Sequence, residues 1–267
     1  MSLCHEVNFF ALRVHSYLSR VFTYRLGIAE IGITEIFLFE IVDYCHNHTL
    51  HNIKIYKTNW KVESKYGNDI DLFVQRTDGK YNRFALQAKV MSFNGAYKDL
   101  KLKRVPNQWD KLLTHESKFD SKSFYLFYNG QAIIRPITTA PTKSDCLGIP
   151  TIQELGLGIV ETCEVKKIRE GLPHPTGQVY MRHFFPANMD SIRKLFCCEG
   201  GGYNSNNLKG YEYKDIYIGA PYKTIKFSMQ EIEKEEEEFT EREEIEKKVL
   251  IEKYPDIAPL RIVIDNN

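Results

Sequence analysis

The stretch GNDIDLFVQRTDGKYNRFALQAKV, Gly67 to Val90, constrains the fold more than any other part of the chain. Two apolar runs alternate with a period of two and flank an Asp78-Gly79 turn, the signature of an antiparallel hairpin. In the first run Ile70, Leu72 and Val74 share one face, and Asp69, Asp71 and Phe73 the other. In the second, Phe84, Leu86, Ala88 and Val90 share a face, which leaves Gln87 and Lys89 together opposite. Pairing of the runs gathers two carboxylates, an amide and an ammonium on one side of a sheet. Such a set is either a solvated outer face or a site.

The flanking segments supply the rest of an α/β pattern. The amino-terminal NFFALRVHSYLSRVFTYRL is interrupted by Arg13, Arg20 and Arg25 at helical intervals, which suits an amphipathic helix better than a secretory signal. Thr34-Glu35 opens a helical stretch, with Thr34 as N-cap, Leu38, Phe39 and Val42 as apolar stripe, and Glu35 on the same side. An extended segment runs from Ile53 to Glu63, before the hairpin. After it, NGAYKDLKLKRVPNQ reads as an irregular basic connection, Gln108 to Thr114 as a helix, and Ser123 to Asn129 as an aromatic central strand. The order is α-β-β-β-α-β, with mixed pairing expected. Beyond Asn129 the signals weaken: IIRPITTAPTKSDCLGIP is loop-rich, GIVETCEVKKI reads as a strand and helix start, and EGGGYNSNN as a loop. Met229 to Tyr254 reads as a long Glu/Lys-dense helix, either a solvated face or a partner-binding one.

Bulk properties exclude some classes. The apolar run IGITEIFLFEIV is too short, and too often broken by glutamate, to span a bilayer. Six cysteines, Cys4, Cys45, Cys146, Cys163, Cys197 and Cys198, form no C-x-x-C pair, so reduced, mostly buried thiols and a cytoplasmic setting are expected. The net charge of +1 conceals an asymmetry: residues 231–247 carry −7, residues 1–230 carry +8. A basic body permits a polyanionic ligand. CHNHTLHN, with His46, His48 and His51 so close together, is a polar turn after a helix rather than a metal nuclease motif. Trp60 and Trp109 can stack on a base, though core packing suits both.

Gln87-Ala88-Lys89, arriving on the third strand after Gly67-Asn68-Asp69 at the second, resembles the PD-(D/E)XK nuclease superfamily in its Q-x-K variant. The similarity covers roughly residues 30–130 and extends to an uncharacterised bacterial group within that superfamily. A glutamine-bearing helix followed by the aromatic strand at Ser123–Asn129 also resembles that core. The resemblance implies a restriction-endonuclease-like core in residues 1–135 and a less regular α+β accessory region in residues 136–267. It implies a Mg²⁺ (or Mn²⁺) ion held by Asp69 or Asp71, by the Gln87 carbonyl and by a helix carboxylate, Glu35 or the nearby Glu30, with Glu63 a further candidate. The chemistry fits. Mg²⁺ takes one or two carboxylates plus waters and substrate oxygens, and a lysine such as Lys89 stabilises developing charge or positions the attacking water.

The expected activity is therefore metal-dependent phosphodiester hydrolysis, with Asp69, Asp71, Gln87 and Lys89 as the catalytic set. Double-stranded DNA is the expected substrate, and Lys98, Lys101, Lys103 and Arg104 the expected phosphate contacts. By analogy the protein resembles effectors of bacterial antiviral defence. The rival expectation is a non-cleaving nucleic-acid-binding or protein-interaction module on the same fold; a toxin that cleaves RNA would share the site. A homo-oligomer, or a regulatory partner bound through the acidic helix, is compatible with either, and no membrane is expected.

Overall fold

The computed structural model describes residues 3–47, 53–58, 65–97, 100, 107–134, 136–172, 178–196, 208–216, 218, 223–224, 256 and 258–265. Two helices come first, α1 (Leu3–Thr23) and α2 (Glu30–Asn47), followed by β1 (Ile53–Lys57), β2 (Ile70–Gln75), β3 (Tyr81–Val90) and the short β4 (Ala96–Tyr97). Helix α3 (Gln108–Phe119) and β5 (Lys122–Tyr128) follow, so the expected α-β-β-β-α-β order is interrupted by β4 and preceded by α1. Then come β6 (Leu157–Glu161), α4 (Thr162–Glu170), β7 (Val179–Tyr180), β8 (Asp190–Ser191), α5 (Arg193–Phe196), β9 (Lys223–Thr224) and β10 (Leu260–Ile264). The fold is α/β. Among the described residues, eight strands form one mixed sheet in the order β8-β6-β5-β3-β2-β10-β1-β9.

The hairpin forms as its alternation demands. Strands β2 and β3 are antiparallel, with Ile70 opposite Leu86 and Gln75 opposite Tyr81. Gly79 supplies the turn with φ +81°, a backbone conformation open to glycine at little cost. The apolar face (Ile70, Leu72, Phe84, Leu86, Ala88, Phe124, Leu126) is buried in the main core with α1 and α2. Thr34 on α2 meets the Tyr128 hydroxyl at 2.8 Å, and Phe10 of α1 stacks on Phe37 of α2 at 5.3 Å. On the other face α3 packs through Glu116, which accepts the Ser123 N–H at 2.6 Å, and through Phe119, beneath the Arg83 guanidinium.

Several expectations shift. Helix α2 begins at Glu30, not Thr34, and Thr34 Oγ1 donates back to the Glu30 carbonyl at 3.1 Å instead of capping. The buried stripe of α2 is Ile33, Phe37, Leu38 and Ile41, spaced by three and four, while Phe39 is 65% exposed. Glu35 consequently faces solvent. Strand β10, which local sequence did not reveal, lies between β1 and β2, antiparallel to the first and parallel to the second. Residues 1–135 and 136–267 thus contribute strands to the same sheet. Cys4 is a reduced, buried thiol as expected and Cys163 a reduced but exposed one, whereas Cys146 is disulfide-bonded, contrary to the expectation. No helix among the described residues is long and apolar enough to cross a membrane. The acidic stretch 229–254 and the glycine-rich loop lie outside the described residues.

Candidate functional site

Strand β3 outruns its partner. Strand β2 begins at Ile70, opposite Leu86, so the β2 side of β3 beyond Leu86 has no strand residue to pair with in β2. Asp69 fills that position. Its N–H donates to the Leu86 carbonyl at 2.8 Å, and its Oδ2 accepts the Ala88 N–H at 2.9 Å. The carboxylate thereby stands in for a strand partner, which fixes it beside Gln87. Gln87 Nε2 donates to Asp69 Oδ2 at 2.5 Å, and Gln108 Nε2, from the first turn of α3, donates to Gln87 Oε1 at 2.5 Å. Gly67, with φ +76°, lets the loop before β2 pass close to α3: a Cβ there would lie 3.2 Å from Gln108 Cγ.

Lys89, two residues further along the same face, is almost fully buried. Its Nζ donates to the Ala88 carbonyl at 2.6 Å and lies 3.5 Å from Glu30 Oε2 at the start of α2. The cluster therefore runs Gln108, Gln87, Asp69 along one edge, with Lys89 and Glu30 beside it. Gln108 was given no role by sequence reasoning; its signal was only its place at the head of the glutamine-bearing helix. Glu35 is elsewhere engaged, paired with Lys57 at 2.6 Å and half exposed.

Asp71 shares the strand face of Asp69 but has a different fate. It is fully buried, accepts Arg83 Nη2 at 2.6 Å and Arg261 Nη2 at 2.7 Å on Oδ2, and accepts Asn68 Nδ2 at 2.8 Å on Oδ1. Arg83 continues to Asp256 at 2.9 Å, and both guanidiniums sit over the Phe73 ring. Burial alone would raise the Asp71 carboxyl, but Arg83 and Arg261 hold it below the usual carboxylate range. His115, also buried, bonds Ser121 Oγ at 2.7 Å and has its pKa lowered to about 4, chiefly by burial. With two guanidiniums on its oxygens, Asp71 is an anchor for the sheet rather than a ready cation ligand.

The remaining predicted contacts divide simply. Lys98, Lys101, Lys103, Arg104, Trp60 and Glu63 lie outside the described residues. Trp109 is 2% exposed, so its ring packs in the core and is not offered to a base. Among the described residues no group of three His, Cys, Asp or Glu side chains could hold a metal ion. The oxygens at hand are the Asp69 carboxylate, the Gln87 amide oxygen and the Glu30 carboxylate. These are hard donors of the kind Mg²⁺ and Mn²⁺ take, in a number that leaves waters and substrate to complete the shell.

No curated protein matches the chain. A family model matches residues 3–258, and the protein thus belongs to the family of unknown function DUF6615.

Proposed function

We propose that the protein is a Mg²⁺- or Mn²⁺-dependent nuclease with a PD-(D/E)XK-type core, acting on double-stranded DNA. One observation carries this reading: the Asp69 carboxylate accepts the Ala88 N–H at 2.9 Å while Lys89 Nζ donates to the carbonyl of the same residue at 2.6 Å, with Gln87 between them and Glu30 facing the lysine. The α2-β1-β2-β3-α3-β5 order, with β3 and β5 parallel, supports it. In this reading Asp69 and the Gln87 carbonyl would hold the ion, with Glu30 as the further carboxylate. The ion supplies charge neutralisation at the scissile phosphate and an activated water. Lys89, held by the Ala88 carbonyl and Glu30, keeps an ammonium aimed at charge that develops on the phosphoryl oxygens. Antiviral defence is the setting this reading suggests, and it is analogy.

A second reading has its own observation. The Asp69 Oδ2 is already satisfied by an amide N–H and a backbone N–H, with no cation needed. That favours a non-cleaving nucleic-acid-binding module.

Plasmid cleavage in Mg²⁺, Mn²⁺ and EDTA, with Asp69→Asn and Lys89→Ala, separates them. The nuclease reading expects metal-dependent cleavage that falls by about 100-fold or more in each variant. DNA retardation without cleavage, unchanged by EDTA, would establish the binding module instead.

A further inference from the structure

The hydrogen-bond polarity of the cluster is forced by chemistry, link by link. An ionised carboxylate only accepts, so Asp69 requires that Gln87 turn its NH₂ toward it. The Gln87 carbonyl must then face the other way, toward Gln108, which has to answer with its own NH₂. One acceptor-only group thus orients two amides in series. An NH₂ pointed at Asp69 repels a cation there, whereas the carbonyl of the same amide would ligate it. Exchanging the two ends needs only a half-turn about the terminal torsion of glutamine, which is soft and roughly two-fold. But if Gln87 reverses alone, two NH₂ groups meet between Gln87 and Gln108. The second amide has to follow the first.

We infer that Gln108 is a positioning residue that sets which end of the Gln87 amide faces Asp69, and that both amides reverse together when a divalent cation occupies Asp69. This rests on the metal-site reading above. The reversal surrenders two bonds, Gln87 Nε2 to the Ala88 carbonyl at 3.2 Å and Gln108 Nε2 to the Gly67 carbonyl at 3.4 Å, which biases the cation-free state toward the orientation seen.

The test is Mn²⁺ binding, read by titration calorimetry, in wild type, Gln108→Glu, Gln87→Met and the double variant. A glutamate at position 108 can only accept, so it competes with Asp69 for the Gln87 NH₂ and lowers the cost of turning the carbonyl toward Asp69 when an ion arrives. Mn²⁺ binding is expected to tighten about tenfold in Gln108→Glu, and by no more than about threefold when Gln87 is Met, where only the added charge acts. Equal tightening in both backgrounds would overturn the relay while leaving the metal site standing. Absence of Mn²⁺ binding in wild type and every variant would overturn the metal reading and the relay with it. A second measurement needs no variant: on Mg²⁺ addition the side-chain NH₂ resonances of Gln87 and Gln108 should shift together, and a shift of Gln87 alone would overturn the coupling.

Discussion

Arg261 places its guanidinium 2.7 Å from the carboxylate of Asp71, 190 residues earlier in the chain. Cross-strand register makes the two residues neighbours, since β10 runs parallel to β2 with Arg261 beside Asp71. Strand β10 lies just beyond the segment matched by the family model, which ends at residue 258. It nonetheless separates β1 from β2 and brings the second cation to a buried anion.

Removing Arg261 leaves the buried Asp71 with Arg83 as its cation while Arg83 also answers Asp256, one positive charge short of balance. Arg261→Met should therefore destabilise the fold by about 3 kcal/mol, a typical cost for breaking a buried pair. Urea unfolding measures it. In the Asp71→Asn background the same substitution should cost clearly less, because the anion that Arg261 answers has gone. Equal costs in the two backgrounds would mean that Arg261 stabilises by packing on Phe73 or through Asp256, 3.8 Å away, and not through Asp71.

His115 predicts an acid-sensitive window. Burial holds its folded value at about 4, against 6.5 for the ordinary side chain. As pH falls below 6.5 the unfolded chain takes up a proton that the folded chain refuses until near pH 4, so stability drops across that interval. The full drop is about 3 kcal/mol at 1.36 kcal/mol per unit. Asp71, whose folded value is lowered, adds its loss only below that window, as pH falls beneath its ordinary 3.8. Urea midpoints between pH 7 and 4 should thus fall in the wild type and fall less steeply in His115→Gln, with His15 and His183, which burial also lowers, keeping part of the slope. A slope unchanged by the substitution would assign the window to another group.

Gly156 sits where α1 comes too close for any side chain. A Cβ there would lie 2.0 Å from the Ala11 carbonyl oxygen and 2.9 Å from the His15 N. Both are backbone atoms of a helix, so a rotamer change offers no relief. Gly156→Ala should cost about 2 kcal/mol or more by driving α1 off the sheet, as overpacking does. Gly148, whose Cβ would meet nothing within 4 Å but whose φ is +92°, is the contrast: Gly148→Ala should show a cost of backbone strain alone, about 1 kcal/mol. Thermal unfolding of the two variants ranks them. The reverse ranking would show that α1 yields readily.

Much of the sheet was legible because alternation is a local signal. The period of two in Ile70–Val74 and Phe84–Val90, closed by Asp78-Gly79, announced β2, β3 and their two faces. The register of α2 was not legible: IFLFEIV is apolar nearly all round, so no stripe stands out, and the choice between Leu38 and Phe39 rests on packing against the sheet. Strand β10, LRIVI, is a short apolar run whose partners are β1 and β2, some two hundred residues distant. Nothing local names them. The same distance hid the difference between Asp69 and Asp71. They share a strand face, and what separates them is Arg83 and Arg261, one of which arrives only with the last strand.

The helix carboxylate offers the sharpest comparison between sequence and site. The resemblance offered Glu35 or the nearby Glu30, but the Glu35 oxygen is 2.6 Å from Lys57 Nζ on β1, in a pair open to solvent. Glu30, one and a half turns earlier on α2, lies 3.5 Å from Lys89 Nζ and is only about a quarter exposed at 27%. The exposed pair is worth little, typically below about 1 kcal/mol. Glu35→Gln should accordingly leave both stability and plasmid cleavage near wild type. Glu30→Gln removes the carboxylate facing Lys89 and a charge next to the proposed ion, and should lower metal-dependent cleavage by about tenfold or more, with a raised Mg²⁺ requirement. Cleavage rates against Mg²⁺ concentration for the two variants decide between them. A loss confined to Glu35→Gln would return the metal ligand to the exposed turn of α2, away from Lys89, and would separate the lysine from the ion it is proposed to serve.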